Sequence, residues 1–447
     1  MQKITVDFRA TQGKIKPMNA VNNGPAGSPV RGIKGNFALY EAARIPYARN
    51  HDASFYAGYG GEHTVDVHRI FRDFDADETL PENYIFGPTD QYTSNTFAAG
   101  TKIFYRLGAS IEHGYKYGTR VPKDYLKWAR ICEHIIRHYT EGWANGYHYD
   151  IEYWEIWNEF DCRNADGSNP CWQGTEEQFV DFYCTVATYL KEQFPNLKIG
   201  GPAFCSSWNE RLNALFLGGV RERKAPLDFF SYHCYGKTPE NVRETVEKAE
   251  SELEKHGFGG TETILNEWNY VKGWLGEEHV YTMKVLKGLK GSAFIASTMC
   301  LCQPTPLYML MYYDARPTGW NGMFCTDDFA PRKGYYPFPA WSDLAELGDY
   351  VPTAIEGEKL YAAAATNGKD SALLFTHYDD DDSAPAREVE VRVAGAVNGR
   401  PVKLSYYLLD EEYDMTLVRE EIFTGEEFSV FLKATLFSTH LLKITQL

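Results

Sequence analysis

From residue 16 onward the chain switches repeatedly between two hydrophobic periods. Short runs dense in aromatic and β-branched residues stand at 16–22, 47–51, 102–107, 153–157, 198–204, 227–233, 263–268 and 307–313, and each reads as a strand. Stretches with the 3.6-residue period of an amphipathic helix separate most of them. A short helix is expected at 36–45. Residues 122–141 carry Tyr125, Trp128, Ala129, Cys132, Ile135, Ile136 and Tyr139 on one stripe, with Pro122 suited to the first turn. Thr175-x-x-Gln178 has the form of a capping box, and Ser207-x-x-Glu210 opens the helix after it. Thr238-Pro239 starts another, which Gly257 ends, and one long apolar helix is expected within 278–302. Strand and helix alternate eight times with short connections, which is the pattern of a closed parallel (β/α)8 barrel.

After about residue 350 the period drops to two. Segments at 359–366, 371–377, 387–394, 402–409, 427–432 and 436–444 are divided by turn signals such as Asn367-Gly368 and Asn398-Gly399, so this part reads as a small antiparallel β-sandwich. At the other end Ile4, Val6 and Phe8 alternate ahead of the first barrel strand, and that strand is expected to pair into the sandwich. The expected organisation is a barrel over 10–348 and an accessory domain over 349–447 that includes strand 1–9. The acidic run Asp379-Asp380-Asp381-Asp382 reads as a solvated hairpin loop without the ligand spacing of a calcium loop. His63, Asp66 and His68 sit in a long insert at 58–96, but nothing nearby completes a metal site. Residues 66–71 read instead as an ordinary amphipathic strand, and no metal or other cofactor is expected.

Two of the strands end in glutamates. Tyr153-Trp154-Glu155-Ile156-Trp157-Asn158-Glu159 runs from apolar into polar residues, and Thr263-Ile264-Leu265-Asn266-Glu267-Trp268-Asn269-Tyr270 does so again. One such glutamate alone is as consistent with a helix cap or a surface ion pair. Two of them at the carboxyl ends of parallel barrel strands is what glycoside hydrolysis needs, one to protonate the departing oxygen and one to attack the anomeric carbon or activate water.

These residues carry a resemblance. Glu155-Ile156-Trp157-Asn158-Glu159 and Asn266-Glu267-Trp268-Asn269 resemble the acid/base and nucleophile motifs of the retaining barrel glycosidases of clan A. Arg49-Asn50-His51-Asp52 and Ser231-Tyr232-His233-Cys234-Tyr235-Gly236 are similar to strands two and six of glycoside hydrolase family 39, which includes β-xylosidases and α-L-iduronidases. The motifs stand in the family's order across residues 10–345. The resemblance implies a retaining, exo-acting hydrolase, most like a β-xylosidase, with Glu267 as nucleophile and Glu159 as acid/base. An α-L-arabinosidase, an α-L-iduronidase-like enzyme and an endo-glycanase are the alternatives within the clan, and a binding barrel without catalysis is the alternative outside it.

The resemblance also implies supporting roles. Arg49 would keep Glu267 ionised, although a buried ion pair with Glu155 is the plainer reading of the same arginine. His51 and His233 would meet sugar hydroxyls, Asn158 the 2-hydroxyl, and Tyr235 the nucleophile. His113, on the loop after strand three, and Asp314 and Trp320, after strand eight, complete the sugar-binding candidates. Three features depart from the family pattern: Phe160 follows the acid/base glutamate where many relatives have proline, Asn266 precedes the nucleophile in place of threonine, and Glu112-His113 has no counterpart in the β-xylosidase pattern.

Composition narrows the partners. A net charge of −16 argues against nucleic acid or an anionic membrane, both of which are met by basic patches. Aromatic residues make up 15% of the chain, and all ten tryptophans fall between 128 and 341, so some are available to stack on sugar rings while the rest fill the core. The expected partner is an oligosaccharide or other glycoside; a homo-oligomer is left open. Residues 1–20 lack the layout of a signal peptide, no apolar run is long enough to span a bilayer, and the nine cysteines have no framework spacing. A cytoplasmic location is therefore expected, or a secreted one after removal of a leader, with pairing of Cys162 and Cys171 undecided.

Overall fold

The computed structural model describes residues 1–30, 34–53, 63–111, 118–396 and 400–447. His113 and the Asn398-Gly399 turn signal lie outside the described residues. A first strand, β1 (Gln2–Asp7), precedes eight that close into a parallel barrel: β2 (Ala20–Asn22), β3 (Tyr47–Asn50), β4 (Lys102–Leu107), β5 (Tyr153–Ile156), β6 (Lys198–Phe204), β7 (Phe229–Gly236), β8 (Glu262–Tyr270) and β9 (Met309–Tyr312). Nine further strands follow: β10 (Asp349–Val351), β11 (Thr353–Glu356), β12 (Leu360–Thr366), β13 (Ser371–His377), β14 (Arg387–Ala394), β15 (Val402–Leu409), β16 (Asp414–Phe423), β17 (Glu427–Ala434) and β18 (Thr439–Gln446). With β1 they form a six-stranded sheet in the order β10-β12-β13-β18-β15-β16 and a four-stranded one in the order β11-β1-β14-β17. Ile4, Val6 and Phe8 are buried between the sheets with Val389, Val391, Leu404 and Leu442. β1 runs antiparallel to β11 and parallel to β14.

The barrel interior follows the two-residue period of its strands. Ala20, Phe104, Tyr153, Phe229, Ile264, Met309 and Met311 fill its amino-terminal end. One step of two residues up the strands, Phe104 gives way to Arg106, Tyr153 to Glu155, Phe229 to Ser231 and Ile264 to Asn266, all fully buried. The site stands on this polar floor, at the carboxyl ends where the βα loops open.

Several local expectations are corrected. The helix expected from Pro122 is Tyr125–Thr140, capped by Asp124, whose carboxylate accepts the N–H of Lys127 at 3.0 Å. Asn209, not Ser207, caps the helix Glu210–Arg223, because Ser207 is turned inward and its carbonyl accepts from Asn213. The apolar stretch at 278–302 is two helices, Gly276–Leu286 and Leu289–Cys302, bent by 76° at Gly288, whose backbone is extended. Residues 66–71 hold a short helix, Val67–Ile70, and not a strand. Asp66 accepts hydrogen bonds at Oδ1 from Arg106 at 2.7 Å and from the Ser110 hydroxyl at 2.8 Å. The acidic run is not simply solvated. Asp380 and Asp382 hold the ammonium of buried Lys290 at 3.0 and 2.8 Å, tying the second of the two apolar helices to the loop after β13.

Candidate active site

The end of β5 is where the backbone leaves regular geometry. Trp157 and Glu159 have φ of 73° and 51°, a region costing roughly 1–3 kcal/mol for such residues, so their surroundings must impose it. Gly108, whose missing Cβ would meet Trp157 Cα at 3.0 Å, lets the two segments approach. The indole N–H of Trp157 donates to the Cys171 carbonyl at 2.9 Å, and the Glu159 N–H to the Ala203 carbonyl at 3.0 Å. Phe160 then stacks on Phe179 with ring centres 3.9 Å apart and leans on Phe204, a ring-filled space that accounts for an aromatic residue at this position.

Glu267 reaches the interior by a different device. Tyr232 pairs with Leu265 but His233 pairs with Glu267, so β8 carries one extra residue, Asn266, at this point. The bulge lets two consecutive side chains serve the barrel interior. Asn266 donates to Glu155 at 2.6 Å, while Glu267 faces the pocket.

Arg49 links these carboxylates. Its Nη1 donates to Glu267 Oε1 at 2.7 Å, its Nε to Glu155 at 2.7 Å and its Nη2 to Asn158 Oδ1 at 2.6 Å. The two readings of this arginine therefore hold together in one residue. His51 Nε2 lies 3.1 Å from Glu267 Oε1, and its Nδ1 accepts from Arg106 Nε at 3.2 Å, which leaves the proton on the side facing Glu267. Tyr235 donates its hydroxyl to Glu267 Oε2 at 2.8 Å. Burial alone would raise the pKa of Glu267, but His233, His51 and Arg49 outweigh it and hold the carboxylate well below its ordinary range.

Glu159 faces it across His233, whose Nδ1 is 2.8 Å from Glu159 Oε1 and 3.5 Å from Glu267 Oε2. Oxygens of the two carboxylates lie within 4.8 Å of each other. His51, Asp52, Ile111, Tyr235, Trp274, Tyr313 and Trp320 share with them the lining of a cavity of about 450 Å³, within the range of small-molecule sites.

The sequence-derived candidates thus fall into groups. Glu159, Glu267, Arg49, His51, Asn158, His233 and Tyr235 converge. Trp320 stands on the wall beside Trp274 at 5.5 Å between ring centres. Asp314 lies behind the pocket, buried, accepting from Asn23 at 3.1 Å and from Thr318 at 3.4 Å. Sequence reasoning quoted Asp52 without a role and passed over Tyr313 and Trp274. Tyr313 donates to Asp52 at 2.9 Å. Trp274 had a usable signal: it follows a glutamate-bearing strand in a glycine-flanked loop, and its side chain is 55% exposed, as a stacking platform must be.

Residues 88–261 match the family model described as glycosyl hydrolases family 39. That stretch of the chain is similar to glycoside hydrolase family 39. The chain is 28% identical to a β-xylosidase of Geobacillus stearothermophilus over 198 residues, covering 41% of the chain and 37% of that relative. It is 26% identical to a β-xylosidase of Caldicellulosiruptor saccharolyticus over 166 residues, covering 35% and 30%. The matched stretches span about a third of the length of these curated relatives. Among solved structures, a glucosidase from Croceicoccus marinus superposes with a TM-score of 0.81 at 19% identity, covering 100% of this chain and 99% of its own. A monomeric β-xylosidase from Caulobacter crescentus does so with 0.75 at 16%, over 100% of both. The latter two likenesses concern the fold.

Proposed function

We propose that the protein is a retaining exo-glycosidase of β-xylosidase type. The observation that carries this is the unequal environment of two facing carboxylates: three donors converge on Glu267, whereas Glu159 contacts a histidine and a thiol. Glu267 attacks the anomeric carbon as Glu159 gives its proton to the leaving oxygen. Glu159 then takes a proton from the water that releases the sugar. Retention calls for carboxyl groups roughly 5–5.5 Å apart, as against roughly 6.5–9.5 Å for inversion. Each carboxylate has an oxygen within 4.8 Å of the other's, a spacing that accommodates the former. Asn158, oriented by Arg49, is available to a sugar hydroxyl, and Trp274 and Trp320 to the face of a ring. The β-xylosidase relatives support xylose as the glycone and the exo mode.

The test is a panel of nitrophenyl glycosides with the product anomer followed by NMR. The β-D-xyloside should be cleaved fastest with retention, ahead of the α-L-arabinofuranoside and the β-D-glucoside. Glu267→Ala should lose all turnover, with azide restoring it to a glycosyl azide of inverted configuration. Glu159→Ala should keep the first step on aryl glycosides and be rescued with retention. Inverted product from the native protein, or one anomer from both variants, would overturn the mechanism.

A further inference from the structure

Glu159 has a second set of neighbours on the side away from His233. The Cys171 thiol donates to its Oε2 at 3.8 Å, and the donor atoms of Glu159, Cys162 and Cys171 all lie within 4.8 Å of one another. Cys205, on the turn after β6, touches the Cys162 thiol. All three cysteines are free. They reach this point from separate segments: Cys162 and Cys171 bracket the loop after β5, and Asp161 holds the Cys205 turn by accepting the N–H groups of Cys205 and Ser206 at 3.0 and 2.8 Å.

We propose that the Sγ atoms of Cys162, Cys171 and Cys205 and the carboxylate of Glu159 form a site for a thiophilic d10 cation, Zn2+ or Cd2+. Zinc binds thiolate sulfur at about 2.3 Å and carboxylate oxygen at about 2.0–2.2 Å, so tetrahedral ligands lie roughly 3.5–3.8 Å apart. Glu159, Cys162 and Cys171 lie within 4.8 Å of one another, so small side-chain rotations bring these three to that spacing, and Cys205, in contact with Cys162, is the side chain that must turn in as the fourth ligand. Soft sulfur ligands select such a cation over magnesium or calcium. Glu159 lines the pocket with its side chain 16% exposed, which gives the ion a way in from the solvent side.

Binding is a proton exchange: each thiol that ligates releases one proton to solvent, and no electron moves. Contact with Cys171 comes first among the causes that push the Cys162 thiol up; contact with Cys162, then burial and the charge of Glu159, do the same for Cys205. Because each ligating thiol must give up its proton, binding should weaken as pH falls. Once the cation holds Glu159, that carboxylate cannot carry a proton. The effect on turnover rests on the acid–base role proposed above; the binding does not.

The experiment titrates the reduced, metal-free protein with CdCl2 and ZnCl2. Cadmium should give thiolate-to-metal ultraviolet absorption that saturates at one equivalent, and 113Cd NMR of the native protein should show a sulfur-rich shift. Zinc should abolish nitrophenyl xyloside hydrolysis, reversibly with EDTA. Cys162→Ser and Cys205→Ala, each compared with its own metal-free rate, should need at least tenfold more cation for half-inhibition. No charge-transfer band and no sulfur-rich shift would overturn the site whatever the activity. Inhibition equal in native and cysteine variants would place the ion on Glu159, His233 and Glu267, and would overturn it too. A protein with the cadmium signals but no glycosidase activity would keep the site and remove the function proposed for Glu159.

Discussion

At the scale of single residues, the site is a contest between burial, which neutralises carboxylates, and donors, which ionise them. Tyr235 tests one donor without changing the charge balance. A hydrogen bond to a charged group is worth about 1.5–3 kcal/mol, so Tyr235→Phe should lower kcat/KM roughly ten- to a hundredfold. The circular dichroism spectrum should be unchanged, since Tyr235 is only partly buried and meets Trp274 edge-on at 5.3 Å between ring centres. Asp314 shows the opposite outcome of the contest. Burial pushes it up to about 7 against donation from Asn23. A carboxyl group raised in the folded state disfavours folding once it must ionise, so its share of stability is present below the unfolded pKa near 4 and is lost as pH rises through 7. Chemical denaturation of the native protein between pH 4 and 7.5 should show that decline, amounting to about 4 kcal/mol at most, and Asp314→Asn should flatten it.

At the scale of elements, the strongest signals in the sequence were those that a single segment carries by itself. The capping box Thr175-x-x-Gln178 is present as read, with both reciprocal bonds, and opens the helix Glu176–Gln193 that backs Phe160. Thr175→Ala should cost about 1 kcal/mol, visible as a lower urea midpoint with an unchanged m-value. Strands with an apolar run, such as 102–107 and 198–204, were legible to the residue. Features that depend on a partner were not. The bulge at Asn266 exists only in the register of β8 against β7, and no local pattern marks it. β16 was missed because it is an edge strand with largely exposed side chains, so it has no buried face to set a period of two. Ser207 and Asn209 are both good capping residues, and only the inward turn of Ser207 decides between them. Within the site, residues joined by a motif came together, whereas Trp274 and Tyr313 depend on how loops from different strands meet.

At the scale of the whole molecule, the barrel and the two sheets share one stitched interface, in which the helix Leu289–Cys302 lies against β12 and β13 and Lys290 bridges to the acidic loop. β1 is the other long-range tie. Removing residues 1–8 would withdraw Ile4, Val6 and Phe8 from the sandwich core, at about 1.5–3 kcal/mol each, and uncover the edges of β11 and β14. The truncated protein should unfold at markedly lower temperature and scatter light on standing, while its kcat in the cold stays within about twofold, because no part of β1 approaches the pocket. The same strand sets an order of events during synthesis. Ile4 is made on the order of 20–80 s before its parallel neighbour Val391. The barrel is already outside by then. For that interval an apolar strand waits with both edges open, and a chaperone that shields nascent strands would find a long-lived client segment in β1.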